Sequence, residues 1–180
     1  MRKLSSAHHD PVAQLVHWAT AALVLSAFIA APEEHGAQAA GNSIRLQLHE
    51  TLGLAVFGLS VVRVLWRFAA VRPVPAATVR WMALAASSMH GVLYLLLFSV
   101  PLSAIASVWL QGHALTLFAG ISISPMLAPS PDAGEAMAEV HEWLGDALLW
   151  LAGCHALAAL FHHYILKDGI LLSMLPRWRR

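Results

Sequence analysis

The stretch AEVHEWLGDALLWLAGCHALAALFHHY, Ala138–Tyr164, is apolar enough to cross a membrane, yet it carries four histidines: His141, His155, His162 and His163. Ionisable groups are costly in lipid, so inside a span they point to function. His141 and His155 are 14 residues apart. At about 100° per residue that is about 40° short of four full turns, so both lie on one helix face, separated by about 21 Å along the axis.

The rest of the chain has the same character. Of 180 residues, 58% are apolar and only 12% charged, whereas a soluble domain carries about a quarter charged residues. Four apolar segments, approximately 12–31, 44–68, 81–110 and 136–166, each reach the roughly 20 residues that span a hydrocarbon core. They lack strand-like alternation, and an isolated span in lipid must satisfy its own backbone as a helix. The expected fold is all-α, a transmembrane four-helix bundle, with residues 1–180 as a single membrane domain. The first segment reads as a span rather than a cleaved leader, because the polar and acidic run APEEHGAQAA (Ala31–Ala40) follows it. Pro101 is expected to kink the third span. The single cysteine, Cys154, excludes an internal disulfide and any CxxCH haem attachment; it reads as a packing residue.

Charge sets the orientation. Ten of the eleven basic residues fall at the N-terminus (Arg2, Lys3), between spans two and three (Arg63, Arg67, Arg72, Arg80) or at the C-terminus (Lys167, Arg177, Arg179, Arg180); Arg45 is the exception. Eight of the ten acidic residues lie on the other side. By the positive-inside rule both termini are cytoplasmic, as an even number of spans requires. The expected location is a bacterial inner membrane. The tail 169–180 reads as an interfacial segment held by its arginines against anionic lipid, or as a frayed charged end. A net charge of +1 leaves no basic footprint for nucleic acid.

Depth pairs the histidines. His17 and His155 fall in the inner half, His49 and His141 in the outer half. Facing imidazoles at two levels can ligate two haem irons, and haem b needs no covalent attachment. Two closed, six-coordinate irons suit electron transfer. The 14-residue spacing then sets the distance between the two centres.

These stretches resemble the bacterial cytochrome b561 family, which is related to the cytochrome b subunits of formate dehydrogenases and nickel–iron hydrogenases. The likeness rests on LVHW (Leu15–Trp18), LHETLG (Leu48–Gly53), VVRVLWR (Val61–Arg67), MHGVLYLLL (Met89–Leu97), VHEWLG (Val140–Gly145) and GCHALAALFHHYILKDGILLSMLPR (Gly153–Arg177). The resemblance implies axial ligation by His17 with His155 at the inner haem b and by His49 with His141 at the outer one. It also supports a quinone site at His162, His163, Lys167 and Asp168, with ubiquinone or another quinone as substrate. Such a site needs hydrogen-bond donors and a proton source; snorkelling interfacial residues would leave the same pattern.

Other residues carry two readings each. Arg63 and Arg67 either hold haem propionates or anchor the inner end of span two. His90 is a quinone-pocket residue, an interhelical hydrogen bond or a rival to His17 as ligand. Gly53, Gly58, Gly145 and Gly153 either admit a flat haem or allow close helix contacts. Glu50 and Glu142, each one residue past a ligand, should point away from the haem. His8, His9, His35 and His113 read as loop or interface residues.

Three functions compete. The first is a dihaem electron carrier between the membrane quinone pool and a periplasmic redox protein. The second, an activity the resemblance allows, is a superoxide:ubiquinone oxidoreductase, disfavoured by an acidic outer rim that repels an anion. The third is a histidine-lined metal-ion carrier without haem, disfavoured because two ligands per level do not close a four-coordinate site.

Overall fold

The computed structural model describes residues 10–32, 44–69, 80–168 and 170–175. His8, His9, His35, Arg2, Lys3, Arg72 and the arginines of the tail lie outside the described residues. Four helices are long and apolar enough to cross a membrane: α1 (Pro11–Ile29), α2 (Ile44–Ala69), α3 (Arg80–Leu110) and α4 (Pro131–Phe161). A π turn, His162–Leu166, extends α4, and a short α5 (Ile170–Met174) follows. The protein is a multi-pass, all-α membrane bundle. Its outward surface is apolar: Leu15, Trp143 and Trp150 are at least 70% exposed within the chain, as befits a surface meant for lipid.

Local sequence explains the helix ends. Asp10 caps α1 by accepting from the Val12 amide (3.4 Å), and Pro11 occupies the first turn, where its missing N–H costs nothing. Pro131 opens α4 in the same way. The helix therefore starts before the expected residue 136, although the intervening residues are polar. Pro101 lies buried within α3, which continues through it to Leu110.

α3 packs along α4, and α1 along α2, with α2 meeting α3 over a shorter stretch. At the end of the bundle that carries the α3–α4 connection, termed outer from the charge pattern, α3 and α4 nearly touch. The Gly134 carbonyl accepts from Ser107 Oγ (3.0 Å) and Gln111 Nε2 (3.3 Å), and the Ser130 amide donates to the Leu110 carbonyl (2.7 Å). A Cβ at Gly134 would sit 2.6 Å from Gln111 Cγ, 3.0 Å from the Gln111 amide nitrogen and 3.2 Å from the Leu110 carbonyl carbon. The side chain can yield, but the backbone atoms cannot. Gly134→Ala gains about 1 kcal/mol of helix propensity but incurs an overpacking cost of about 1–3 kcal/mol. The expected result is a lower thermal unfolding midpoint in detergent.

Between the two levels of histidines lies an apolar layer. Val56, Leu96, Leu97 and Leu148 are buried together, with Val24 packed against them. Val24, Val56, Leu97 and Leu148 contribute one residue from each helix. Steps of seven residues from this layer reach His17, Arg63, His90 and His155 on the inner side, and Ala31, His49, Ala104 and His141 on the outer side. Each helix keeps one face inward by this heptad repeat, as helices of a left-handed bundle do.

The connection between α3 and α4 contains a small antiparallel hairpin, β1 (Leu115–Thr116) with β2 (Ser122–Ile123). Gly120, at φ +80°, makes its turn where residues with a Cβ are strained. The Thr116 amide donates to the Glu50 carboxylate (2.7 Å) and the Phe118 amide to Thr51 Oγ1 (2.7 Å). These bonds fasten the hairpin to the outer end of α2. The inner end is also tied. Trp66 Nε1 donates to the Asp10 carboxylate (2.7 Å). Gln14 Nε2 and Trp18 Nε1 donate to the Ser173 and Met174 carbonyls, each at 2.9 Å, so α5 folds back on α1.

Candidate functional site: two histidine layers and a membrane-face cluster

In the outer layer, His49 on α2 faces His141 on α4 with ring centroids 6.0 Å apart and planes at 83°. His49 Nδ1 lies 2.8 Å from the Ala27 carbonyl and His141 Nδ1 2.8 Å from the Val100 carbonyl. A carbonyl only accepts, so both Nδ1 atoms carry the proton and both Nε2 atoms keep a free lone pair. Metal-binding histidines are oriented in this way.

The pair flanks a cavity of about 480 Å³, whose lining includes Gly53, Gly145, Leu115 and Leu117. Gly53 and Gly145 each follow a histidine by four residues, on the same helix face. An added Cβ at either would meet nothing within 4 Å, so the space a side chain would fill is left open. A flat, apolar prosthetic group fits these residues. The hairpin leucines close the outer side. Glu50, Glu142 and Asp146 also line the cavity, and among the described residues its lining holds no lysine or arginine. Glu50 and Glu142 were expected to point away. The cavity is wide enough to reach around the helix to the next position, and Glu50 turns to accept from the hairpin.

In the inner layer, His17 on α1 faces His155 on α4 at 6.4 Å between centroids, with planes at 80°. The two pairs thus face each other at nearly the same separation, and an iron held between two imidazoles needs two metal–nitrogen bonds of about 2.0–2.1 Å each. Arg63 Nη2 donates to His17 Nδ1 at 2.9 Å. The guanidinium carbon atoms of Arg63 and Arg67 lie 5.2 and 5.9 Å from the Tyr94 ring centroid. Arg63 is half-buried in the layer, whereas Arg67 is exposed. Tyr94 was not singled out from sequence, although it stands one turn after His90 on the same helix face. His90 lies 5.3 Å from His155, with planes at 73°.

Seven residues beyond His155 comes His162, in the π turn. Its Nδ1 is hydrogen-bonded to Asp168 Oδ2. The other Asp168 oxygen accepts from the Ile170 amide at 3.1 Å, capping α5. Lys167 is exposed and adopts a left-handed conformation (φ 52°), its amide returning to the His162 carbonyl. His163 turns to the Tyr164 ring, 4.7 Å away. The expected cluster is therefore brought together as a His162–Asp168 pair, with His163 and Lys167 beside it but making other contacts. His113 is exposed in the outer connection.

Residues 8–177 match the family model of prokaryotic cytochrome b561. The chain is 32% identical over 169 residues to cytochrome b561 homolog 1 of Escherichia coli, covering 90% of this chain and 93% of that protein. It is 33% identical to cytochrome b562 of Cereibacter sphaeroides, covering 90% and 92% of the two chains. It is 30% identical to the probable superoxide oxidase CybB of Yersinia pestis, covering 91% and 93%. The chain belongs to the prokaryotic cytochrome b561 family, membrane b-type cytochromes of electron transfer.

Proposed function

We propose that the chain carries two b haems and moves electrons between a periplasmic redox protein and the membrane quinone pool. The observation that carries this reading is the equivalent spacing of two imidazole pairs, 6.0 and 6.4 Å between centroids, on either side of one apolar layer. Haem b would supply reversible one-electron chemistry at each layer. The residues divide the remaining tasks. His49 and His141 hold the outer group, and His17 and His155 the inner one. Arg63 and Arg67 offer guanidinium forks to propionates, which they fit bidentately; Arg63 would then leave His17, whose proton moves to Nδ1 as Nε2 ligates. His162 and Asp168 form a donor and proton source for ubiquinone or another quinone at the inner membrane face. The distribution of basic residues supports an inner-membrane location with both termini cytoplasmic.

Superoxide as the outer donor is supported by the similarity to the probable superoxide oxidase of Yersinia pestis. The three carboxylates around the outer cavity favour a cationic protein surface over a small anion. A metal-ion carrier is disfavoured because, among the described residues, no group of three or more His, Cys, Asp or Glu side chains is placed to hold a metal ion.

The test is a pyridine haemochrome assay on purified protein, followed by stopped-flow reduction with quinol and with superoxide. Two low-spin haems per chain and rapid quinol reduction are expected. One haem or none would defeat the dihaem reading, and fast superoxide reduction would replace the periplasmic protein as donor.

A further inference from the structure

The hairpin over the outer cavity belongs in chain to one half of the bundle and is fastened to the other. It lies in the connection between α3 and α4, yet one of its edges is taken up by α2. The Leu117 amide donates across the hairpin to the Ile121 carbonyl at 2.7 Å. Successive amides of an extended strand point to opposite edges, so those of Thr116 and Phe118 face away from β2. The Glu50 carboxylate accepts the first and Thr51 Oγ1 the second, each at 2.7 Å. Thr51 donates its own hydroxyl proton to the Gln47 carbonyl, 2.6 Å away, which leaves the oxygen as an acceptor for Phe118.

Alternation also places the side chains. Leu115 and Leu117 stand on one face of the strand, and both line the outer cavity; Leu115 is 6% exposed. The residue between them, Thr116, is the one Glu50 holds. Strands of two residues each are too short to keep their place by pairing alone, so the position of the leucines depends on the tethers. Glu50 makes the stronger tether, because a charged acceptor roughly doubles the strength of a hydrogen bond. His49, Glu50 and Thr51 are consecutive. The same turn of α2 that presents the outer imidazole therefore also holds the cover of the cavity.

We propose that Glu50 is a positioning residue of the outer centre: by holding the Thr116 amide it straps the hairpin across the seam between the two halves and keeps Leu115 and Leu117 over the cavity. The inference rests on the dihaem reading above. Releasing the strap uncovers the outer pocket and leaves the inner pair, on the far side of the apolar layer, as it was.

The test uses Glu50→Ala, Glu50→Gln and Thr51→Val in the purified, haem-loaded protein. Amide hydrogen exchange is read across residues 115–123, and transfer of each haem to excess apomyoglobin is followed by low-spin EPR. The outer signal is the one that His49→Ala lacks. Glu50→Ala should speed exchange in the hairpin and loss of the outer haem by about tenfold, the scale of one hydrogen bond to a charged group, with inner-haem loss at the wild-type rate. Thr51→Val cuts the second tether and should shift both quantities the same way by less; it carries the comparison if Glu50→Ala fails to accumulate. Glu50→Gln keeps a carbonyl acceptor at the same reach and should recover most of the wild-type behaviour. If it matches Glu50→Ala instead, the charge and not the strap is what matters, and the proposal fails. Hairpin exchange equal to wild type would also overturn it, as would faster exchange with unchanged outer-haem loss. Equal acceleration at both haems would make Glu50 a residue of general bundle stability, against the proposal. A wild-type protein with fewer than two haems defeats the dihaem reading itself and is detected before any variant is made.

Discussion

Replacing either outer histidine, in His49→Ala or His141→Ala, should lower the haem content from two per chain to one and leave the inner centre spectroscopically intact. Histidine ligation is the main anchor of a non-covalent haem, and in the proposed arrangement each level has its own pair. Leu148 stands seven residues from each of the two α4 histidines, and the layer around it separates the levels, about 21 Å apart along α4. Sites so far apart with no shared partner behave independently. His17→Ala and His155→Ala should show the reciprocal pattern. Pyridine haemochrome and EPR on all four variants decide the matter. If one substitution empties both sites while circular dichroism still reports a helical bundle, independent layers are not what the protein has.

The second large effect is expected at the membrane face. His162→Ala should keep both haems yet slow quinol-driven reduction by about 10²-fold, the scale of a lost general acid–base group. Asp168 has two roles, because one oxygen holds His162 and the other caps α5. Asp168→Asn keeps an acceptor for the Ile170 amide but removes the charge beside the imidazole, so it should reproduce the slow phase without loosening α5. Asp168→Ala would add the cost of a lost cap, about 1 kcal/mol. Wild-type quinol rates in His162→Ala would remove the quinone from this end of the bundle.

The four spans were legible because lipid imposes one rule on every residue of a span, and composition records it. The pairing of His17 with His155 and of His49 with His141 in space followed from depth, which charge asymmetry and helix rise together specify. What lies across the bundle axis was harder to read. The hairpin at Leu115–Ile123 has strands of two residues each, too short for any alternation, and depends on Glu50 and Thr51 far away in sequence. The π turn at His162 changes the backbone without changing the apolar pattern. His90 carried three readings because sequence gives its depth but not its distance from His155. Glu50 and Glu142 line the cavity although each stands one position past a histidine, because an offset of one residue describes a direction, not the breadth of the cavity beside it.

Each proposed ligand pair joins α4, which packs along α3, to a helix of the α1–α2 pair. The two halves therefore enclose space that the chain's own side chains do not fill, as the open surfaces of Gly53 and Gly145 illustrate. A group that binds only the closed bundle stabilises it by about 2.7 kcal/mol at a hundredfold excess over its dissociation constant. Two such groups, each spanning the same seam, would act as independent clamps. On the proposed dihaem reading, protein stripped of haem should therefore unfold at a lower temperature than the loaded protein.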